Sequence, residues 1–324
     1  MRLPWVGPVW SASRSTAWRG DGDFRVALVE QNGEGPLTVS SERDDAINKE
    51  SPLAEVGACA RSYARAHPLR SLGTVGGQAI LGVRTVRYLL IDLFTGRFAI
   101  SEFVKQAAFM AGTALVPTLL VTIPVGVTLS IQFAVLAGQV GAESLSGAAN
   151  GLVVIRQGAP LVAAILLAAA VGSAVSADLG SRTMREEVDA MKVMGVSVIR
   201  RLVVPRFAAL IVVGIALTGL ATCAGFFVGY LFNVFVQNGT PGSFVATFAS
   251  FATVDDLVLA LAKAIAFGAI VAVVACHKGL DTRGGPAGVA NSVNAAVVES
   301  ILLLMIVNVG MSQLYLLLFP KASL

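Results

Sequence analysis

From Gln106 to Ala142 the chain runs for 37 residues without one Asp, Glu, Lys or Arg. A bilayer core of ~30 Å is crossed by about 20 apolar residues of helix, so this run exceeds one crossing. Two more uncharged runs follow, Gln157–Ala177 and Phe207–Val254. Hydrophobic residues make up 55% of the 324 and charged residues 14%, with a mean hydropathy of +0.75. Soluble domains are nearer 45–50% and about 25%. The apolar surplus lies in the runs, so the chain is read as an all-α integral membrane protein. That composition excludes a soluble enzyme, a disulfide scaffold and a disordered chain.

Five crossings are expected, near 108–136, 157–178, 205–236, 255–276 and 293–319. Pro117 and Pro124 predict a kinked or broken first helix. A Gly- and Ser-rich loop should follow it, and a second loop should carry Gly239, Pro241 and Gly242. Thr253 and Asp256 have capping-box spacing and start the fourth helix. Residues 81–98 mix Arg84, Arg87, Asp92 and Arg97 with Val86, Leu89, Leu90, Leu93 and Phe94. Apolar positions three and four apart with arginines between them predict an interfacial amphipathic helix. A weak first span is the other reading. Residues 1–60, polar from Ser40 to Ser51 and holding Trp5, Trp10 and Trp18, are expected to be a disordered cytoplasmic extension or the product of an over-extended start site.

Net charge is +4, but the basic residues flank apolar runs and read as orientation signals, with no nucleic-acid partner implied. Arg182, Arg185, Lys192, Arg200, Arg201 and Arg206 lie between the second and third crossings, and Lys278 and Arg283 between the fourth and fifth. The loops near 137–156 and 237–254 hold only Arg156. The positive-inside rule puts the N-terminus in the cytoplasm and the C-terminus outside the cell membrane. Three Cys (Cys59, Cys223, Cys276) and two His (His67, His277) give neither a metal site nor a disulfide framework. Neither G-x-x-x-x-G-K-[ST] nor G-x-S-x-G occurs, so no catalytic residue is assigned and any ATP and Mg are expected on another chain.

The most informative stretch is 176–206. Gly180 and Gly195 bracket 14 residues of mostly good helix formers, too short and too charged to cross. A cytoplasmic helix over 181–194 is expected, with Met184, Val188, Met191 and Met194 on one apolar stripe. Arg185–Asp189 and Asp189–Lys192 have ion-pair spacing. A methionine face suits an adaptable protein contact. A helix lying on headgroups is the alternative, against which Glu186, Glu187 and Asp189 weigh, because carboxylates are poor partners for anionic lipid.

Ala177-Asp-Leu-Gly180, Arg185-Glu-Glu-Val-Asp-Ala-Met191, Val193-Met-Gly195 and Leu202-Val-Val-Pro-Arg206 together resemble the signature of MlaE/YrbE permeases, membrane subunits of Mce-type lipid ABC transporters. Gly284-Gly-Pro-Ala-Gly-Val289 resembles a second element of that family, and the likeness covers about 62–320, so residues 61–320 are taken as the permease domain. The resemblance implies that the acidic segment is a coupling helix docking on an ABC ATPase dimer. Arg185, Glu186, Glu187, Asp189, Ala190, Met191, Met194 and Gly195 would make that contact. It also implies a second permease subunit, identical or paralogous, an MCE-protein ring or tube, and a lipid substrate. The 308–315 segment and residues 1–60 have no counterpart in the resemblance.

Outside that stretch, Glu299 is a candidate functional acid, placed near Arg283 and about two turns into the last helix. Lys263 is expected to snorkel to the outer surface, and Asp178 to close the second helix. Ala168, Gly172, Ser176, Gly180, Gly225 and Gly229 suit close helix packing, inside the chain or between subunits. Lipid contacts cannot be assigned from sequence. Two other readings stay open: a membrane scaffold anchoring an outer ring, and an ion-coupled transporter using Glu299 and Asp178.

Overall fold

The helix Ile100–Gln139 inverts the pattern of a soluble amphipathic helix. Met110, Ala114, Thr118, Thr122, Gly126 and Ser130 recur every four residues and are its buried face, while Leu120, Ile123, Val135 and Leu136 point outward. In lipid the large apolar side chains gain nothing from hiding, so small residues take the interface and let backbones approach. Thr118, Thr122 and Ser130 donate their hydroxyls to the carbonyls four residues earlier, which satisfies them without a partner helix. Of the two expected outcomes, kinked or broken, the break does not occur: Pro117 and Pro124 lie inside one continuous 40-residue helix. Neighbouring helices and hydroxyl groups sustain proline in membrane helices.

The computed structural model describes residues 76–96, 98–139, 141, 146–236 and 240–318, and the expectation for 1–60 lies outside them. In chain order, α1 covers 76–94 and α2 is Ile100–Gln139. Next, α3 runs from Ser146 to Met184, with π-helical turns at Val154–Gly158 and Leu167–Gly172. The short α4 is Glu187–Val193, and α5 comprises a π turn, Ile199–Val203, and Val204–Val236. The last three are α6, Pro241–Phe251, α7, Val254–Leu280, and α8, Gly285–Leu318. Five of these, α2, α3, α5, α7 and α8, are long and apolar enough to cross a membrane, and no strand occurs among the described residues.

The crossings extend beyond their expected limits, and both loops on the side away from the basic segments contain helix. Ser146–Val153 already forms the first turns of α3, and α6 occupies the loop expected from Gly239, Pro241 and Gly242, with Pro241 in its first turn. The capping box at Thr253 and Asp256 is present, each side chain bonding the other's backbone at the start of α7. The inner three crossings are the most enclosed: half of the apolar window is buried in α3 and α7 and 44% in α5, against 17% in α2 and 22% in α8. The small residues serve packing within the chain. A Cβ at Gly172 would press on Val271, one at Gly225 on Val154, and one at Gly268 on the backbone of Leu210 and Ile211.

The N-terminal helix is shifted relative to the expected 81–98. Gly96, at φ +67°, supports the turn that ends α1, so Phe98 falls outside it. Its polarity is also reversed. Gln78, Thr85 and Asp92, seven residues apart, face the bundle, and Val83, Val86, Leu90, Leu93 and Phe94 are exposed.

Candidate functional site

Two charged constructions lie at opposite ends of the bundle. At the end carrying the basic segments, α3 stops at Met184 and the chain turns through Glu186, the only described non-glycine residue with positive φ (61°). A left-handed residue with a Cβ costs roughly 1–2 kcal/mol. The expected helix over 181–194 is therefore two pieces: 181–184 belong to α3, and α4 has seven residues. Its C-terminus is a Schellman motif. Gly195, at φ +75°, donates to the Lys192 carbonyl, and the Val196 N–H reaches the Met191 carbonyl at 3.0 Å.

The break also divides the expected stripe. Val188 is buried in the core and Met191 packs partly against it, anchoring α4 to the bundle. Met184 and Met194 are exposed, as is Val193 at 89%. Arg185, cut off from α4 by Glu186, pairs with Glu187 at 3.1 Å rather than with Asp189, whereas Lys192 does bond Asp189 at 2.7 Å. Arg185, Glu186, Asp189, Ala190, Met194 and Gly195 are exposed together, and Glu187 and Met191 are half-buried. The segment thus exposes these side chains while two apolar residues hold it in place. Beneath it, the buried Arg206 pairs with Asp178, and Arg182 reaches the same carboxylate at 3.1 Å, so Asp178 ties α3 to α5.

Glu299 lies in α8, which starts at Gly285, so it is nearly four turns in. Its partners are Lys278 at 2.6 Å and Gln78 at 2.5 Å, and not Arg283, which approaches Asp281. The acid thus fastens α1 and α7 to α8.

The opposite end holds a cluster that the sequence did not reveal. Arg156, in the first π turn of α3, bonds Asp256 at 2.5 Å, and Asp256 is fully buried. Tyr315 of α8 donates to the same carboxylate at 3.1 Å and stacks beneath the Arg156 guanidinium. Lys263 does not snorkel; it is completely buried. Its ammonium donates to the Arg156 carbonyl (2.9 Å), Gln157 Oε1 (2.6 Å) and Ser312 Oγ (2.9 Å), all neutral acceptors. Arg156 lies in the π turn, and Pro160, two residues beyond that turn, has no N–H to give the ladder. A pocket of ≈ 290 Å³ adjoins these groups, walled by Leu152, Val153, Leu259 and Leu316 together with Arg156, Gln157 and Lys263. The available signal was that Arg156 and Lys263 are the two cations that interrupt otherwise uncharged stretches on this side.

Five lipid-crossing helices, with an ion-paired segment projecting from one end and a charge-lined pocket at the other, define a multi-pass membrane protein of the transporter-subunit kind. The chain belongs to the Permease MlaE family, whose model matches residues 103–314. A probable ABC transporter permease protein of Synechocystis sp. is 30% identical over 70% of this chain and 86% of its own length. Probable ABC transporter permease proteins of Porphyra purpurea (29% identical, covering 65% and 80%) and Rickettsia bellii (26%, covering 66% and 83%) are also similar. The chain is a non-catalytic permease subunit, and the ATPase is a separate chain.

Proposed function

We propose that this permease carries a lipid with an anionic head, driven by ATP hydrolysis in a partner dimer that docks on the 185–195 segment in the cytoplasm. The observation that carries the lipid reading is Lys263. A buried ammonium is costly unless a negative charge answers it, and among the described residues no carboxylate lies within ion-pair distance of this one. A carboxylate or phosphate entering the adjoining pocket would meet Lys263 and Arg156, and its chain would lie along the leucine and valine walls. The predominance of basic residues at the α4 end supports a cytoplasmic location there and an extracytoplasmic pocket. The sequence resemblance supports a second permease subunit and an MCE-protein assembly above that pocket.

Two substitutions test the two ends. Glu187→Lys with Asp189→Lys reverses two charges of the docking segment, and the ATPase should disappear from the complex purified in mild detergent. If it stays at parental level, the docking assignment is wrong. Lys263→Gln removes the buried charge while keeping an N–H donor for its neutral acceptors, so they retain a hydrogen-bonding partner. Lipid recovered with the complex and lipid-stimulated ATP hydrolysis should fall at least tenfold while the Tm holds. Unchanged lipid recovery would return Lys263 to a purely structural role.

A further inference from the structure

A second apolar space lies at the α4 end, between α1 and the bundle. Its volume is ≈ 940 Å³, and α5, α7 and α8 contribute Phe207, Ile270, Val273 and Leu303 to its walls. The α1 wall is one helical face, Ala79, Gly82, Val83, Val86 and Leu90, at three- and four-residue intervals, and Arg87 stands on it. The helices bounding this space are fastened by polar contacts at both ends of α1. Gln78 bonds Glu299, and Asp92 pairs with Arg200, whose Nε is 2.8 Å from Oδ2. At Gly82 a Cβ would already be 3.4 Å from Val273, so α1 and α7 touch there.

Arg87 distinguishes this groove from ordinary lipid-facing surface. It is exposed and makes no ion pair or hydrogen bond among the described residues, although α1 buries Asp92 one and a half turns away. An unpaired guanidinium on the wall of an apolar groove matches an amphiphile with an acidic head, because the planar fork holds a phosphate through two bonds. Depth gives the leaflet. Val274 and Ala269 lie 6 and 11 residues from the Leu280 end of α7, about 9 and 16 Å inward at 1.5 Å per residue. That range runs from the inner half to about the midplane of a core ~30 Å thick.

We infer that the groove between α1 and α7 is a binding site for an acidic phospholipid of the cytoplasmic leaflet, its chain along Val83, Val86 and Val273 and its phosphate on Arg87. The site is separate from the Lys263 pocket at the other end of the bundle. Its leaflet rests on the orientation proposed above.

The test uses the full chain with its ATPase in nanodiscs of phosphatidylcholine containing a trace of photoreactive lipid. The reactive group sits on the acyl chain of either phosphatidylglycerol or phosphatidylcholine, and labelled peptides are mapped by mass spectrometry. Phosphatidylglycerol should label 79–91 and 269–274 about fivefold more than phosphatidylcholine, the preference expected of one basic contact with an acidic lipid. Arg87→Gln should abolish that preference and Arg87→Lys should retain most of it. Val83→Trp, which fills the groove, should remove both labels. Equal labelling by the two lipids in the parent protein overturns the proposal, as does a groove that stays unlabelled and cross-links to a second permease copy. ATPase copurification is scored on the same samples. Its loss with labelling intact would count against the functional reading alone, and labelling lost with the ATPase present would count against this site alone.

Discussion

The two ends of the bundle use the same residue types under opposite solvation. Around α4, Lys192–Asp189 and Arg185–Glu187 are largely exposed, and an exposed pair contributes about 0–1 kcal/mol. At the far end, Asp256 and Lys263 are withdrawn from water and bound to three helices. A buried pair contributes little net stability, yet losing one partner leaves a charge stranded. The contrast separates two uses of charge. Exposed pairs leave their charges available at the surface; buried ones fix a geometry between helices.

Substitutions can break that contrast, and the largest effect belongs to the buried end. Asp256→Ala strands Arg156 and removes the α7 cap, and should lower unfolding stability in mixed micelles by about 3–5 kcal/mol. Tyr315→Phe removes one donor from the same carboxylate and should cost about 1–2 kcal/mol in the same titration. Glu186→Gly relieves the left-handed turn and should stabilise the protein by about 1 kcal/mol, while loosening α4 enough to weaken ATPase copurification. Asp189→Asn should change stability by less than about 0.5 kcal/mol. If Asp189→Asn cost as much as Asp256→Ala, the distinction between the ends would fail.

The five crossings and the α7 cap were legible because each is written locally, as an uncharged run or a residue pair three apart. The burial of Lys263 was not, since its acceptors come from Arg156, Gln157 and Ser312, as far as 107 residues away in the chain. Nor was the inward face of α1. Its three buried polar residues are spaced for a helix, but only Glu299 and Arg200 show that they turn toward protein. The 185–195 segment was legible in composition and misread in shape. Good helix formers run through Arg185 and Glu186, and the turn there is imposed by Val188 and Met191 seating in the core.

Lys263 has a consequence of another kind. Its ammonium is held by Arg156 and Gln157 of α3 and by Ser312 of α8, so three helices share one cation. The lysine's set of acceptors is complete only after the last crossing has entered the bilayer. The order of synthesis therefore makes α8 the step that closes this end of the bundle.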